Sequence, residues 1–436
     1  MTEREIMEYD VIIVGAGPAG LSCAIRLKQL KPELMVAVIE KSSEIGAHIL
    51  SGAVIEPEPL DELLPGWRED PPPICIPVEK DEIWLLSQKG RRRLPTPPQQ
   101  KNHGNYIVSL GAMCAWMADK AEALEVDIFP GFAAADIRYT DDGAVGGVII
   151  GDMGVGRDGQ QKDTYMQGIE IHAPVTILSE GVRGHLSKQL IKKFSLDKDS
   201  DPQTYGIGMK ELLEGGEILS SGARAIAEGG YQSLPRTEMP GALIIGDSAG
   251  TLNVPKIKGT HQAMRCGMLA AQHLADTSAV EGFDAKLRDS EVVKELYKVR
   301  NIRPAFYKGF WRGFIRAAIE TITAGKLPGT LPIHADDSSL RMEDGYSPPD
   351  RQWIDRDLPP RDRLASVYFA ATAHDEDQPV HLQIIEPEIC TTRCVEEYNN
   401  PCTRFCPAQV YEMIEEEDGK QLQINSANCV HCKTCD

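Results

Sequence analysis

The sequence predicts a mixed α/β (α+β) protein: a parallel-sheet core, a β-rich insertion, and a small cysteine-rich module at the C-terminus. Three observations lead there. Short β-branched runs, "VIIV" at 11–14, "MVAVIE" at 35–40, "PVTIL" at 174–178 and "GALII" at 241–245, read as buried parallel strands. The stretches "GAVGGVIIGDMGVGRDGQ" (143–160) and "YMQGIEIHA" (165–173) read as strands joined by Gly-rich hairpins. Of the 11 cysteines, Cys23, Cys75, Cys114 and Cys266 are scattered, while the rest crowd between Cys390 and Cys435.

The first strand leads into "GAGPAG", and "LSCAIRLKQL" continues with helical spacing at Leu21, Ala24, Ile25 and Leu27. The next strand ends at Glu40, completing the strand–helix–strand unit of a mononucleotide-binding half. Residues 56–103 are rich in proline and charge and are expected to form loops and a small-domain excursion rather than core. A helix is predicted over "LGAMCAWMADKAEALEV" (110–126), and another through "GTHQAMRCGMLAAQHL" after the 241–245 strand. From about residue 385 the chain reads as a separate module.

At 436 residues the chain can hold two or three domains. Its formal net charge of −19 argues against nucleic acid, whose binding surfaces need clustered Lys and Arg. No apolar signal core is seen in "MTEREIMEYD", and no run approaches the roughly 18–20 apolar residues that span a bilayer. A membrane, if met, is met at its surface.

Gly15, Gly17 and Gly20 fit G-x-G-x-x-G between a strand and a helix. The first allows the turn, the second lets a pyrophosphate reach the backbone, and the third lets helix pack on strand. Free N–H groups at the helix N-terminus then meet the phosphates. Glu40, twenty residues on, is placed to accept from a ribose 2′-hydroxyl. The motif alone does not separate NAD from FAD. Two later strand ends do: Glu180-Gly181 in "TILSEGVRG", and Gly246-Asp247 in "ALIIGDSAG", which together resemble the FAD-binding flavoproteins related to aromatic hydroxylases.

Cys429, Cys432 and Cys435 stand three apart, with Cys406-Pro407 upstream. This matches an iron–sulfur run whose fourth ligand, in Cys-Pro, is remote, and so predicts one 4Fe–4S cluster on Cys406, Cys429, Cys432 and Cys435. Cys390 and Cys394 do not complete a second run. Zinc is the competing metal, since four thiolates also suit a closed zinc site. A flavin takes electrons singly or in pairs and a cluster takes one, so the pair predicts an electron-transfer oxidoreductase. In "RPAFYKGFWRGFIRAAIETI" (303–322), Phe306, Phe310 and Phe314 lie four apart beside Trp311, Ile315 and Ile319, with Lys308, Arg312 and Arg316 as a basic stripe. That is the composition of an interfacial membrane helix; the rival reading is a surface helix with an aromatic core face.

The stretches "GAGPAGLSCAIRLKQL", "GAHILSGAVIEP", "SEGVRGHLSKQL", "ARAIAEGGYQSLP", "GDSAGTLNVPKIKGTHQAM" and "CVHCKTCD" resemble the electron-transfer flavoprotein–ubiquinone oxidoreductase family. The resemblance implies an FAD-binding Rossmann-like domain (1–80, about 105–185 and 236–285), an inserted β-rich quinone- and membrane-facing domain (about 81–104, 186–235 and 286–384), and a ferredoxin-like cluster domain (385–436). It implies electron-transfer flavoprotein, ubiquinone and a membrane surface as partners. The expected location is monotopic, on the bacterial cytoplasmic side or the mitochondrial inner membrane. FAD would be held by Gly15, Gly17, Gly20, Glu40, Glu180, Gly181, Gly246, Asp247, Gly259 and Thr260. Beside these, His261 is expected to be a packed histidine rather than a proton donor.

Three departures from the family stand out: a missing hydrophobic stretch near 94–102, several tens of residues absent after Glu214, and an end directly after Cys435-Asp436. The missing segments keep open a redox scaffold without quinone turnover, and the shared flavin architecture keeps open an alkene-reducing flavoenzyme like the geranylgeranyl reductases.

Overall fold

The structure is a computed structural model that describes residues 4–49, 52–87, 90–214, 217–340, 363–370, 372, 374–416 and 419–436. Of the segment expected to face quinone and membrane, residues 341–362 lie outside the described residues. At the centre is a six-stranded sheet, in order Glu238–Met239, Ala242–Ile244, Val175–Leu178, Val11–Val14, Val36–Glu40, Asp127–Pro130. All neighbours are parallel except the Glu238–Met239 edge. Period-two alternation explains why the β-branched runs are apolar throughout, since both faces of the sheet are covered. Val11 and Ile13 point into a core shared with helices Pro18–Leu30, Leu110–Glu122 and Thr260–Thr277. Ile12 and Val14 point into a second core, closed by Leu186 and Leu190 of helix His185–Lys193 and by a four-stranded sheet. That second sheet runs Ile6–Glu8, Glu170–His172, Val145–Ile150, Ala134–Tyr139, so the predicted Gly-rich hairpin region is β-structure.

The proline- and charge-rich stretch 56–103 corrects an expectation. Helix Glu58–Leu63 drives Leu60 and Leu63 fully into the first core, and Trp67 follows them. The apolar residues there are too sparse to mark a periodicity, yet Leu60, Leu63 and Trp67 are buried. The same stretch holds a hairpin, Ile83–Ser87 with Gly90–Leu94. Beyond Glu214, strands Tyr205–Glu214 and Glu217–Ala227 pair directly as one antiparallel hairpin. The C-terminal module packs Cys406, Ala408, Val410 and Tyr411 against its own hairpin, Tyr411–Glu416 with Gly419–Ile424.

Candidate redox site

A cavity of about 1050 Å³ opens at the C-terminal ends of the parallel strands, where this fold class binds its ligands. Of the ten residues expected to hold a flavin, Gly15, Gly17, Glu40, Glu180, Gly181, Asp247, Gly259 and Thr260 line it. Gly20 and Gly246 stand behind the wall and permit close packing. A Cβ on Gly20 would sit 2.1 Å from the Gly15 carbonyl, and one on Gly246 would sit 2.7 Å from the Ala19 Cβ. Gly15 has φ +106, which only glycine adopts without strain, and a side chain there would strike the Ser179 carbonyl. At Gly17 the direction of a Cβ is open space, leaving the backbone bare toward the cavity.

Two carboxylates differ in their surroundings. Glu40 accepts from the N–H groups of Ala16 (3.1 Å) and Ser42 (2.9 Å), which fix it at the strand end. Asp247 is half-buried, and its Oδ1 is a buried atom lacking any hydrogen-bond partner. Burial raises its carboxyl to about 6, partly offset by Arg224. A buried, unpaired carboxylate oxygen facing a cavity is costly unless a ligand donates to it, which is what a flavin's polyhydroxy chain supplies. Together with the bare backbone at Gly17, this fits FAD. Glu180 behaves differently: its carboxylate turns to the N-terminus of helix His185–Lys193, accepting from Ser187 N (2.7 Å), Ser187 Oγ (2.6 Å) and Leu186 N (3.2 Å). His261 is buried, with Nε2 3.2 Å from Glu295, in a cluster with Lys256 and Glu56. Glu295 is held at about 2: burial raises it, but His261 and Lys256 outweigh burial.

The four expected cluster ligands converge in the C-terminal module. Cys406 and Cys429 share its small core. The thiol of Cys429 is pushed up to about 11 by burial, with Cys432, Cys435 and Cys406 adding their charge. Backbone N–H groups of Val410 and His431 point at the sulfurs of Cys406 and Cys429, each at 3.4 Å. Tyr411 hydrogen-bonds Cys435. Crowded thiols with N–H donors suit an iron–sulfur cluster, whose sulfurs take such bonds. Zinc, at about 2.3 Å from each sulfur, would need neighbouring sulfurs roughly 3.8 Å apart. Among the described residues the side chains with ligand atoms all within 4.8 Å are instead His381, Cys429 and His431.

That histidine grouping was missed by sequence reasoning. The rings of His48, His374 and His381 surround His431, with centroids 4.8–5.2 Å away. His374 also bonds the Cys429 carbonyl (2.7 Å). Lys41, Arg224 and Lys433 were missed as well, and all three line the cavity. No spacing in the sequence announces residues drawn from three distant segments. Cys390, Cys394 and Cys402 are free thiols.

Strand Glu217–Ala227 joins the two sites. Its Arg224, Ala225 and Ile226 line the cavity. Its Ala225 N–H donates to the Cys432 carbonyl (2.6 Å), and Arg224 Nη1 donates to the His431 carbonyl (3.0 Å). The cavity and the cysteine loop thus share a wall one strand thick.

Helix Phe310–Ile322 is inside out for a soluble protein. Trp311 and Ile322 are 72% and 83% exposed, with Phe310, Phe314, Ile315 and Ile319 also out, whereas Glu320 is 1% exposed. Glu320 bonds Asn301 (3.0 Å) and Arg316. The aromatic face is therefore not a core face. On the 83–94 hairpin, Trp84, Leu85 and Leu86 are exposed too. Gln99 bonds Thr321 (3.2 Å), tying the turn after that hairpin to the helix. Among the described residues no helix is long and apolar enough to cross a membrane.

Comparison with known proteins agrees with this geometry. Residues 360–436 match the family model "Electron transfer flavoprotein-ubiquinone oxidoreductase, 4Fe-4S", and residues 2–57 match the Thi4 family model. The probable electron transfer flavoprotein-ubiquinone oxidoreductase of Acinetobacter baylyi is 39% identical, covering 100% of this chain and 95% of its own. The mitochondrial proteins of that name from Homo sapiens and Oryza sativa subsp. japonica are each 40% identical, covering 100% and 99% of this chain and 86% and 90% of their own. The alignment to the Acinetobacter baylyi protein runs over 549 positions against the 436 residues here, so segments of the relative have no counterpart. A solved geranylgeranyl bacteriochlorophyll reductase-like protein from Thermoplasma acidophilum gives a TM-score of 0.45 at 14% identity, over 91% of this chain and 98% of that one. That likeness is too distant to carry the alkene-reductase alternative. The chain belongs to the electron transfer flavoprotein–ubiquinone oxidoreductase family, and it is an oxidoreductase that carries FAD and a 4Fe–4S cluster.

Proposed function

We propose that the chain accepts single electrons from a reduced electron-transfer flavoprotein and passes them to ubiquinone at a membrane surface. One observation carries this reading: the flavin cavity and the cysteine loop are held together by the Ala225–Cys432 and Arg224–His431 hydrogen bonds. The flavin, when bound, combines single electrons into the pair that a quinone needs. The chain's residues do the holding. The backbone at Gly15–Gly17 and the carboxylates of Glu40 and Asp247 bind the cofactor's polar groups, while Gly259 and Thr260 open the helix beside it. Glu180 braces the wall by capping its helix. Cys406, Cys429, Cys432 and Cys435 are the cluster ligands on this reading.

The far end of the cavity is lined by Ile83, Thr96, Gln100, Lys256, Ile257 and Lys258. Ile257 is 75% exposed, and the apolar hairpin and helix adjoin this end through Gln99 and Gln100, which bonds the Pro255 carbonyl. The exposed apolar side chains of that hairpin and helix suit a quinone arriving from the acyl boundary, with Arg312 and the 91–93 arginines on headgroups. The three-part division (1–80, about 105–185 and 236–285; about 81–104, 186–235 and 286–384; 385–436) belongs to the same proposal.

The test is anaerobic oxidation of reduced electron-transfer flavoprotein by a short-tail ubiquinone, with and without catalytic amounts of this chain. Turnover that disappears in Cys432→Ser is the expected result. Full flavin and cluster spectra without turnover would instead favour the redox scaffold, given the segments that relatives have and this chain lacks.

A further inference from the structure

Arg224 both lines the flavin cavity and hydrogen-bonds the cysteine loop. It lies on the shared strand, with Nη1 on the His431 carbonyl and Nη2 beside Gly181, 3.5 Å from where a Cβ would stand. It is half-buried at the cavity wall. Its charge neighbours Glu40, Cys432 and Asp247 act at a distance, and among the described residues none forms a salt bridge with it. Lys41 and Lys433 line the same cavity and add further positive charge to it. Even a half-buried cation without a paired anion is partly desolvated at a cost. The fold therefore holds a positive charge whose compensation must come from what occupies the two sites.

We propose that Arg224 is a positioning residue that couples the two redox centres electrostatically, serving as shared counter-charge to the flavin on one side and the cluster on the other. An added electron increases negative charge at either centre, and a cation standing between the two favours that state. Both centres then depend on the same guanidinium for their electron affinity, although they bind through different residues. The inference rests on the reading of the cavity as the flavin site and the four cysteines as the cluster site.

The experiment compares holoprotein of wild type, Arg224→Gln and Arg224→Lys. Flavin and cluster contents are fixed first by absorbance and iron analysis. Equilibrium redox titration then follows the flavin in the visible and the reduced cluster by electron paramagnetic resonance. Arg224→Gln is expected to lower the reduction equilibrium of both centres at least tenfold, about 59 mV for a one-electron step. Arg224→Lys, which keeps the charge but loses the fork, is expected to recover most of both shifts. If Arg224→Gln does not retain both cofactors, Arg224→Met, neutral and of similar length, carries the same expectation. A shift at one centre alone, no shift at either, or a Lys variant no better than Gln overturns the coupling while leaving the site assignments standing. Wild type that binds flavin but no iron overturns the assignments themselves.

Discussion

Asp247 and Gly20 show how little room the cofactor site leaves for substitution. The Asp247 carboxyl titrates at about 6 in the folded chain against an ordinary 3.8, because burial opposes its charge, with Arg224 partly offsetting. A raised folded pKa means that the native state holds the proton more tightly than the unfolded chain. The stability from this group is therefore complete below about pH 3.8 and is lost as pH rises to about 6, roughly 3 kcal/mol in all. In the flavin-free protein, Asp247→Asn is expected to remove most of that fall in Tm between pH 4 and 6, measured by thermal melts across pH. An unchanged slope would mean that Asp247 is ionised with partners we have not identified. Gly20→Ala would push a methyl to 2.1 Å from the Gly15 carbonyl, so helix Pro18–Leu30 must move off its strand. Overpacking of this kind costs about 1–3 kcal/mol. The expected result is loss of bound flavin on gel filtration, with the cluster absorbance retained.

The elements differ in how far their sequence announced them. Strand, turn and helix over 11–40 were legible because the β-branched run, the glycine turn and the helical spacing agree with one another. Helix Glu58–Leu63 was hidden because Leu60 and Leu63 sit among prolines and acids, so burial is decided by the partner surface. Helix Phe310–Ile322 was legible in its outward aromatic face, but not in its inward one: an apolar stripe normally faces the core, and the bonds to Asn301 and Arg316 reveal that Glu320 is the inward residue. Two predictions follow its two faces. Trp311→Ser with Ile315→Ser should reduce sedimentation with anionic phospholipid vesicles about tenfold or more, without lowering Tm, because the exposed side chains stabilise only the docked state. Glu320→Ala should instead cost about 2 kcal/mol in urea unfolding, since Asn301 loses one of its two acceptors in the interior and Arg316 its partner. A vesicle-binding loss in Glu320→Ala equal to that of the double variant would mean that the outward face is not the docking face.

Across the molecule, three segments that are far apart in sequence meet at one wall: the glycine turn and Glu40 from the N-terminal unit, strand Glu217–Ala227 from the middle, and Cys429–Cys435 from the end. The glycine and cysteine motifs were readable because each is local. The wall between them was not, because nothing in "GARAIA" marks Arg224 or Ala225 as a junction until the chain is folded. The His48, His374, His381 and His431 grouping was equally hidden, being assembled from three loops. Cys432→Ser tests the molecule as a whole. It should remove the cluster signal, leave most of the flavin bound, and abolish quinone-dependent oxidation of the donor flavoprotein. An alkene reductase built on this architecture would keep its turnover.

The Ala225–Cys432 hydrogen bond also bears on how the protein is assembled. Cys429, Cys432 and Cys435 of that loop, with Cys406 beside them, have no cross-link without iron, so the metal adds a tie that reinforces the bond bracing the cavity wall. Maturation would then be ordered, with iron delivery firming the pocket that retains the flavin. Chain made under iron limitation should lose flavin faster on dialysis than chain made in iron-replete medium, and equal rates would show that the wall stands without the metal.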